Sequence, residues 1–269
     1  MTSISEQYLF KDGQSLKDFD PNDTSAFPIT RNQAEEELFV LRAEFDDLQE
    51  LLHAQGKYKI LIILQATDGA GKDNLIRSVF RGVNPKGVGV VNFKAPSEAE
   101  LKYDYLHRIH QHVPAKGEII IHNRSAYEDV LAVRVHNLVP KEIWEKRYKH
   151  IREFERLLVD EGTTILKFFL NISKDEQKKR LKARLDDPSK GWKVTKTDFT
   201  ERQYWDDYQE AYNDIFKKTS TKYAPWYIIP ANTKWYKNLV VGSILLKTIK
   251  DLNIELPKIN PNLKKMKLV

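Results

Sequence analysis

The chain alternates between two hydrophobic rhythms. Over residues 31–55 the apolar positions Leu38, Leu41, Phe45, Leu48 and Leu52 are spaced by three and four, the period of one helical face, and Gly56 is a natural stop. Residues 60–64 then read Ile-Leu-Ile-Ile-Leu, a continuous run with glycines just beyond, which predicts a strand buried on both faces. Runs at 88–93, 119–121, 165–170 and 226–229 predict four more strands. Helical stretches lie between them. Ser97 and Glu100 form a capping box that opens one, Pro140 begins another, Ser173 and Glu176 cap a third, and Asp198 with Glu201 starts a long one through Tyr204, Tyr208 and Tyr212. A last helix is expected over 234–252. Strands alternating with helices predict an α/β fold, a doubly wound parallel five-stranded sheet flanked by helices, with the 31–55 helix as an N-terminal extension. The first thirty residues, with Asp18, Asp20, Pro21, Asn22 and Asp23 clustered before Pro28, read as loop. The expected organisation is a loop-like segment over 1–30, one domain over 31–255, and a basic tail over 256–269 carrying Lys264, Lys265 and Lys267.

The first buried strand runs directly into Ala66-Thr67-Asp68-Gly69-Ala70-Gly71-Lys72 and then Asp73-Asn74-Leu75. Strand, tight loop ending in Gly-Lys, then helix is the layout of a phosphate-binding P-loop. The loop residues Thr67, Gly69, Ala70 and Gly71 would offer backbone N–H groups to phosphate oxygens, the helix N-terminus adds partial positive charge, and Lys72 adds a full one. Two positions depart from the motif. Ala66 replaces its first glycine, tolerable where φ is negative. Asp73 replaces the Ser or Thr that usually binds Mg²⁺, which leaves Asp68 as the nearest carboxylate for a metal. The third apolar run ends in His122-Asn123-Arg124-Ser125-Ala126-Tyr127-Glu128-Asp129. Polar residues at that edge of a parallel strand face a ligand crevice; capping by Asn123 or Ser125 with surface charge beyond is the equally weighted plain reading.

Charge fits an anionic ligand without proving one: 44 Lys and Arg against 38 Asp and Glu give +6. The chain has no cysteine, which excludes disulfides, thiolate metal sites and cysteine nucleophiles. No basic flank followed by an apolar run opens the sequence, and no apolar stretch is long enough to span a bilayer, so the expected location is cytoplasmic, with no membrane partner. His107, His110 and His112 share one expected helix, but their spacings do not put all three on one face, so no metal cluster is expected there. Trp192, Trp205, Trp226 and Trp235 are read as packing residues.

Taken together, several segments resemble the polyphosphate kinase 2 family. They are Asp68-Gly69-Ala70-Gly71-Lys72-Asp73; Gly82-Val83-Asn84-Pro85-Lys86-Gly87; Phe93-Lys94-Ala95-Pro96; Asn123-Arg124-Ser125-Ala126-Tyr127-Glu128-Asp129; Asp187-Pro188 with Lys190-Gly191-Trp192-Lys193; and Tyr223-Ala224-Pro225-Trp226. The resemblance spans residues 18–249. It implies a P-loop kinase fold and reversible, in-line transfer of a phosphoryl group between inorganic polyphosphate and adenine or guanine nucleotides, with Mg²⁺ or Mn²⁺. Asp68, Lys72, Asn123, Arg124, Glu128, Arg180 and Arg184 match the family's functional positions. Metal would fall to Asp68, Asn123 and Glu128, although much of the family has Asp where this chain has Asn123. That Asn together with Glu128 looks like the class III branch, which accepts both AMP and ADP. The resemblance also makes residues 174–195 a helical lid. Arg180 and Arg184, four residues apart on one helical face, would clamp the transferring group there, unless the segment is simply a solvated basic helix. Lys86, Lys94 and the lid cations would line the polyphosphate path. Arg134 would join the nucleotide-binding set, or pair with Glu128 structurally. A homo-oligomer, dimer or tetramer, is expected. Two other readings stand beside this one: an ATP-dependent nucleotide kinase of the thymidylate-kinase type, and a basic nucleic-acid-binding protein with a degenerate loop. No aromatic-basic binding motif supports the latter, so no nucleic-acid partner is expected.

Overall fold

A computed structural model describes residues 4–189, 191 and 195–258. The strands are β1 (Lys59–Gln65), β2 (Val88–Asn92), β3 (Ile119–Asn123), β4 (Thr163–Asn171) and β5 (Trp226–Pro230). The helices are α1 (Ile4–Gln7), α2 (Arg31–Gln55), α3 (Lys72–Val79), α4 (His107–His110), α5 (Glu128–Val135), α6 (Lys141–Asp160), α7 (Lys174–Leu185), α8 (Lys196–Thr200), α9 (Trp205–Thr219) and α10 (Lys234–Asp251). The strands form one sheet in the order β2-β3-β1-β4-β5, every pair parallel. This is the expected doubly wound P-loop kinase architecture. Side chains alternate between two cores. Ile60, Ile62 and Leu64 face α2, α3 and α10, whereas Leu61 and Ile63 face α5, α6 and α9. Both faces of β1 are covered, which is why it reads as an unbroken apolar run; the edge strand β2 is only partly buried, and β4 carries the fully buried Lys167 within its run.

Helix α2 begins and ends as expected. Thr30 and Gln33 close a capping box, and Gly56 ends the helix in the left-handed conformation with φ 59°. Three helix expectations need correction. The Ser97–Glu100 hydrogen bonds form, but they open only a single 3₁₀ turn, Glu100–Lys102. The histidine helix is one turn long and ends before His112. Asp198 does not start α9; it is the third residue of the short α8, whose cap is Thr195, and a 3₁₀ turn at Glu201–Tyr204 separates α8 from α9. The N-terminal segment is largely irregular yet not peripheral. Tyr8, Phe10 and Leu16 are buried, and Leu9 pairs antiparallel with Tyr227 along the outer edge of β5. The lysine-rich tail, Lys190, Trp192 and Lys193 lie outside the described residues. No helix among those described is long and apolar enough to cross a membrane.

Candidate active site

Register brings two turns together. Leu64 near the end of β1 is paired with Asn123 at the end of β3, and Asn92 at the end of β2 is paired with the same Asn123. The loops leaving β1 and β3 therefore open side by side at the carboxyl edge of the sheet, where doubly wound folds bind ligands. Residues 66–71 turn tightly into α3. Gly69 and Gly71 have φ of 85° and 95°, a region that costs a residue bearing Cβ about 1–2 kcal/mol. Ala66 is not among the positive-φ residues, so its Cβ carries no such cost. The N–H groups of the first turn of α3 have no intrahelical acceptor and form a ready anion site. Lys72 Nζ donates to Ala66 O at 3.1 Å, so its charge lies across the loop. Burial lowers the pKa of this ammonium, and the charge of Asp68 opposes that shift.

Asp68 accepts from Arg124 Nη2 at 2.8 Å. Burial would raise the Asp68 carboxyl, but Lys72, Arg124 and Arg184 together hold it below the ordinary carboxylate range, so it stays ionised. Arg124 sits at φ 65°, an uncommon conformation for a residue with a side chain, and its own N–H donates to Leu64 O at 3.0 Å. Strain of this kind clusters at functional turns, and here it swings the chain from β3 back over the end of β1. Glu128 opens α5 beside Arg124. Burial raises its carboxyl, while Arg124 and Lys72 pull it down. The Gln65 amide satisfies both its neighbours when its nitrogen donates to Glu128 Oε1 at 3.0 Å and its oxygen accepts from Ser125 Oγ at 3.2 Å. Asn123 Nδ2 donates to Asp73 Oδ1 at 2.9 Å and to Asn92 Oδ1 at 2.7 Å. An amide here joins two acceptors, whereas an Asp would bring a second negative charge against Asp73.

Not every expected site residue converges. Lys86 precedes β2, and in a parallel sheet that is the edge opposite the P-loop; it is corrected to a turn residue whose carbonyl accepts from Gln49. Lys94 follows β2 at the correct edge, with its side chain exposed. Arg134 faces away: it donates to Asp214 Oδ2 at 2.7 Å and Glu210 Oε1 at 2.6 Å and lies over the Trp144 ring, so its assignment to the nucleotide set and its pairing with Glu128 are both corrected. Arg180 is 7% exposed and already committed. Its guanidinium donates to Ala70 O at 2.9 Å, Gly69 O at 3.3 Å, Ala231 O at 2.6 Å and Asn232 O at 2.8 Å, and pairs with Glu176 at 2.8 Å. It braces the loop from behind instead of swinging in on a lid. Arg184, half-exposed on α7, remains within electrostatic reach of Asp68.

A cavity of about 230 Å³ adjoins the loop. Thr67, Asp68, Arg124 and Glu128 form its charged end; Leu131, Ala132, Trp205, Tyr208 and Tyr212 form an apolar and aromatic wall. His136 Nε2 and Tyr208 Oη both meet Glu201 Oε2, at 3.0 and 2.7 Å, on its rim. The sequence reading missed His136, Glu201 and Gln177, whose amide donates to Asp68 O at 2.7 Å. It also missed Lys237, a fully buried lysine of α10 on the loop carbonyls. A capping-type acid and a helix lysine carry no signal that separates them from surface residues.

The donor set suits a hard divalent cation. Asp68 and Glu128 present oxygen ligands, and Asn123 Oδ1 is buried without a partner. No cluster of three or more His, Cys, Asp or Glu capable of holding a metal exists among the described residues.

Comparison with known proteins gives the family. The model of the family "Polyphosphate kinase 2 (PPK2)" matches residues 29–257. An AMP/ADP-polyphosphate phosphotransferase of Meiothermus ruber is 58% identical over 90% of this chain and 91% of its own. An ADP-polyphosphate phosphotransferase of Rhodopseudomonas palustris is 45% identical over 80% of this chain and 78% of its own. The crystal structure of polyphosphate kinase 2 from Arthrobacter aurescens superposes with a TM-score of 0.95 at 43% identity, covering 98% of this chain and 95% of that one. With its P-loop, its sheet and nearly its whole length accounted for, this chain belongs to the polyphosphate kinase 2 family.

Proposed function

We propose that this protein transfers the terminal phosphoryl group of inorganic polyphosphate to both AMP and ADP, reversibly. The observation that carries the reading is the convergence of Asp68, Arg124 and Glu128 at the charged end of one cavity whose other wall is aromatic, with the charge of Lys72 acting on all three from the adjoining loop. The P-loop takes the end of the polyphosphate chain; the aromatic wall takes the acceptor's nucleoside. An oxygen of the acceptor phosphate attacks the terminal phosphorus, and the bond to the rest of the polyphosphate breaks, leaving a chain one unit shorter. The attacking oxygen is already anionic, so no general base is required, and catalysis rests on positioning and charge neutralisation. Lys72 and Arg124 neutralise the equatorial oxygens. Asp68 orients Arg124 through their 2.8 Å bond. Asp68, Glu128 and the Asn123 carbonyl would hold Mg²⁺, which supplies further charge neutralisation at the phosphates.

Adenine is favoured over guanine by the 58% identity to the Meiothermus protein, whereas a GDP-polyphosphate phosphotransferase of Mycobacterium tuberculosis is 32% identical over 83% of this chain. Family membership disfavours the nucleic-acid reading and ATP as obligatory donor. The test is incubation with Mg²⁺, polyphosphate and AMP, ADP, GMP or GDP, with nucleotide products separated by chromatography. ADP and ATP should form from AMP. Products that appear only when ATP replaces polyphosphate would overturn the proposal.

A further inference from the structure

The back of the P-loop is held by two buried cations from different parts of the chain. Arg180 of α7 takes the carbonyls of Gly69 and Ala70. Lys237 of α10 takes those of Ala70 and Gly71, at 3.1 and 2.8 Å. Lys237 is fully buried, and no carboxylate is hydrogen-bonded to its Nζ among the described residues. An ammonium without a counter-ion is costly to bury, and apolar packing alone would not place one there. The fit is tight on the loop side as well: a Cβ on Gly71 would lie 2.5 Å from Lys237 Nζ. The glycine at that position therefore serves the lysine as well as the turn. A peptide unit whose carbonyl is held on one side of a loop presents the N–H of the next residue to the other. Fixing the Ala70 and Gly71 carbonyls outward thus aims the N–H groups of Gly71 and Lys72 toward the phosphate side, while the Ala70 N–H donates to Thr67 O at 3.3 Å within the loop.

We propose that Lys237 is a positioning residue for phosphate binding: from behind the P-loop it holds the Ala70 and Gly71 carbonyls so that the Gly71 and Lys72 N–H groups face the polyphosphate, and its charge adds to the field that draws the anion in. The proposal rests on the reading of this loop as the polyphosphate site. It accounts for an uncompensated buried lysine, which a purely structural role leaves unexplained, since a neutral donor would satisfy the same two carbonyls. Burial first, then the neighbouring charges of Arg180 from α7, Lys234 one turn back on α10 and Lys72 from α3, bring the Lys237 ammonium down to about 7. Its charge is therefore present below neutrality and lost as pH rises above it, and a bound polyanion favours the charged form.

The probe is inorganic tripolyphosphate, titrated calorimetrically into the full chain, with steady-state kinetics alongside. Lys237→Gln keeps a neutral donor; Lys237→Arg keeps a charge that does not titrate; Lys72→Ala tests the loop itself. Lys237→Gln should weaken tripolyphosphate binding and raise the KM for polyphosphate by about tenfold or more, the scale of one lost charge-assisted contact, with the KM for ADP nearly unchanged. Between pH 6.5 and 8.5 the parent should lose tripolyphosphate affinity, and Lys237→Arg should show a flatter profile. If Lys237→Gln does not fold, the comparison of the parent with Lys237→Arg decides alone. Parallel pH profiles, or Lys237→Gln that melts lower yet binds tripolyphosphate like the parent, would overturn the proposal. If Lys72→Ala also binds like the parent, the loop is not the phosphate site and the functional reading fails as well.

Discussion

Two residues, Lys72 beside the charged end of the cavity and Glu128 within it, make separable predictions. Lys72 spans the loop at 3.1 Å from Ala66 O, where its charge can follow the transferring group. Lys72→Ala should lower kcat by at least about 10²-fold, the usual cost of one preorganised charge contact, with an unchanged far-UV circular dichroism spectrum; near-normal turnover would remove the lysine from the mechanism. Glu128 stands one turn from Arg124 on the cavity wall, paired with neither Arg124 nor Arg134 by a hydrogen bond. AMP presents one phosphate at this point and ADP two, so an enzyme that uses both must fill the space left by the shorter acceptor. A carboxylate can do so through a bound cation or ordered water. Glu128→Ala should therefore reduce kcat/KM for AMP much more than for ADP at saturating polyphosphate, and equal losses would leave Glu128 only a general structural role. That Lys72, Asp68 and Glu128 come together was readable from the sequence, because they lie inside short motifs at the ends of neighbouring strands. Arg180 was placed in the correct neighbourhood but given the wrong task. A basic residue on a helix reads alike whether its guanidinium reaches a phosphate or a carbonyl, and only the packing of α7 against residues 69–70 and 231–232 decides.

Among the elements, the central strands were the most legible, because a strand covered on both faces is apolar at nearly every position; the exceptions, Lys167 in β4 and His122 in β3, are buried with hydrogen-bond partners of their own. The connections were less so: hydrogen bonding by Ser97 and Glu100 is local, but whether a helix continues beyond it depends on an apolar stripe that residues 98–106 lack. Strand β3 holds one polar side chain in its core whose titration can be measured. His122 is fully buried, and its Nε2 must carry the proton, because it donates to His112 O at 2.9 Å. Burial lowers its pKa from 6.5 to about 4. The folded protein then binds fewer protons here than the unfolded chain between those two values, so this contribution is present above pH 6.5 and lost as pH falls toward 4. The full shift amounts to about 3 kcal/mol. Asp129 works in the opposite sense, since burial raises its carboxyl to about 6 against the pull of Arg147. The difference between variant and parent is therefore the informative quantity. His122→Leu should lose less melting temperature than the parent between pH 6.5 and 4.5, measured by scanning calorimetry, whatever its absolute stability. Equal slopes would show that His122 is not the titrating group.

At the scale of the whole molecule the least legible part was the N-terminal segment, whose apolar residues are too few to set a rhythm. Tyr8 and Phe10 alternate about Leu9 as in a strand, but for three residues only, and Leu16 follows the non-apolar run Lys11 to Ser15, yet Tyr8, Phe10 and Leu16 are all buried. What fixes them is remote in sequence. Tyr8 Oη meets Tyr236 Oη at 2.6 Å, Tyr8 O accepts from Ile228 N at 2.8 Å, Phe10 N donates to Trp226 O at 2.9 Å, and Leu16 N donates to Asn213 Oδ1 at 2.6 Å. The segment thus runs along β5, the outermost strand, and supplies the hydrogen bonds that strand would otherwise leave open. Uncovered sheet edges invite pairing with other chains, so the segment both adds to the core and guards against association. Burying three large side chains contributes about 1.5–3 kcal/mol each, an upper estimate because the unfolded chain already buries part of that surface. Removal of residues 1–19 should therefore cost about 5 kcal/mol and lower the melting temperature by about 10–20 °C for a domain of this size. Because β5 is then exposed, the truncated chain should also scatter light on heating at temperatures where the full chain stays clear. The P-loop lies at β1, two strands in from that edge, so phosphoryl transfer well below the melting temperature should survive the truncation. A truncated protein that melts within about 2 °C of the full chain would show that the segment rests on the domain without stabilising it.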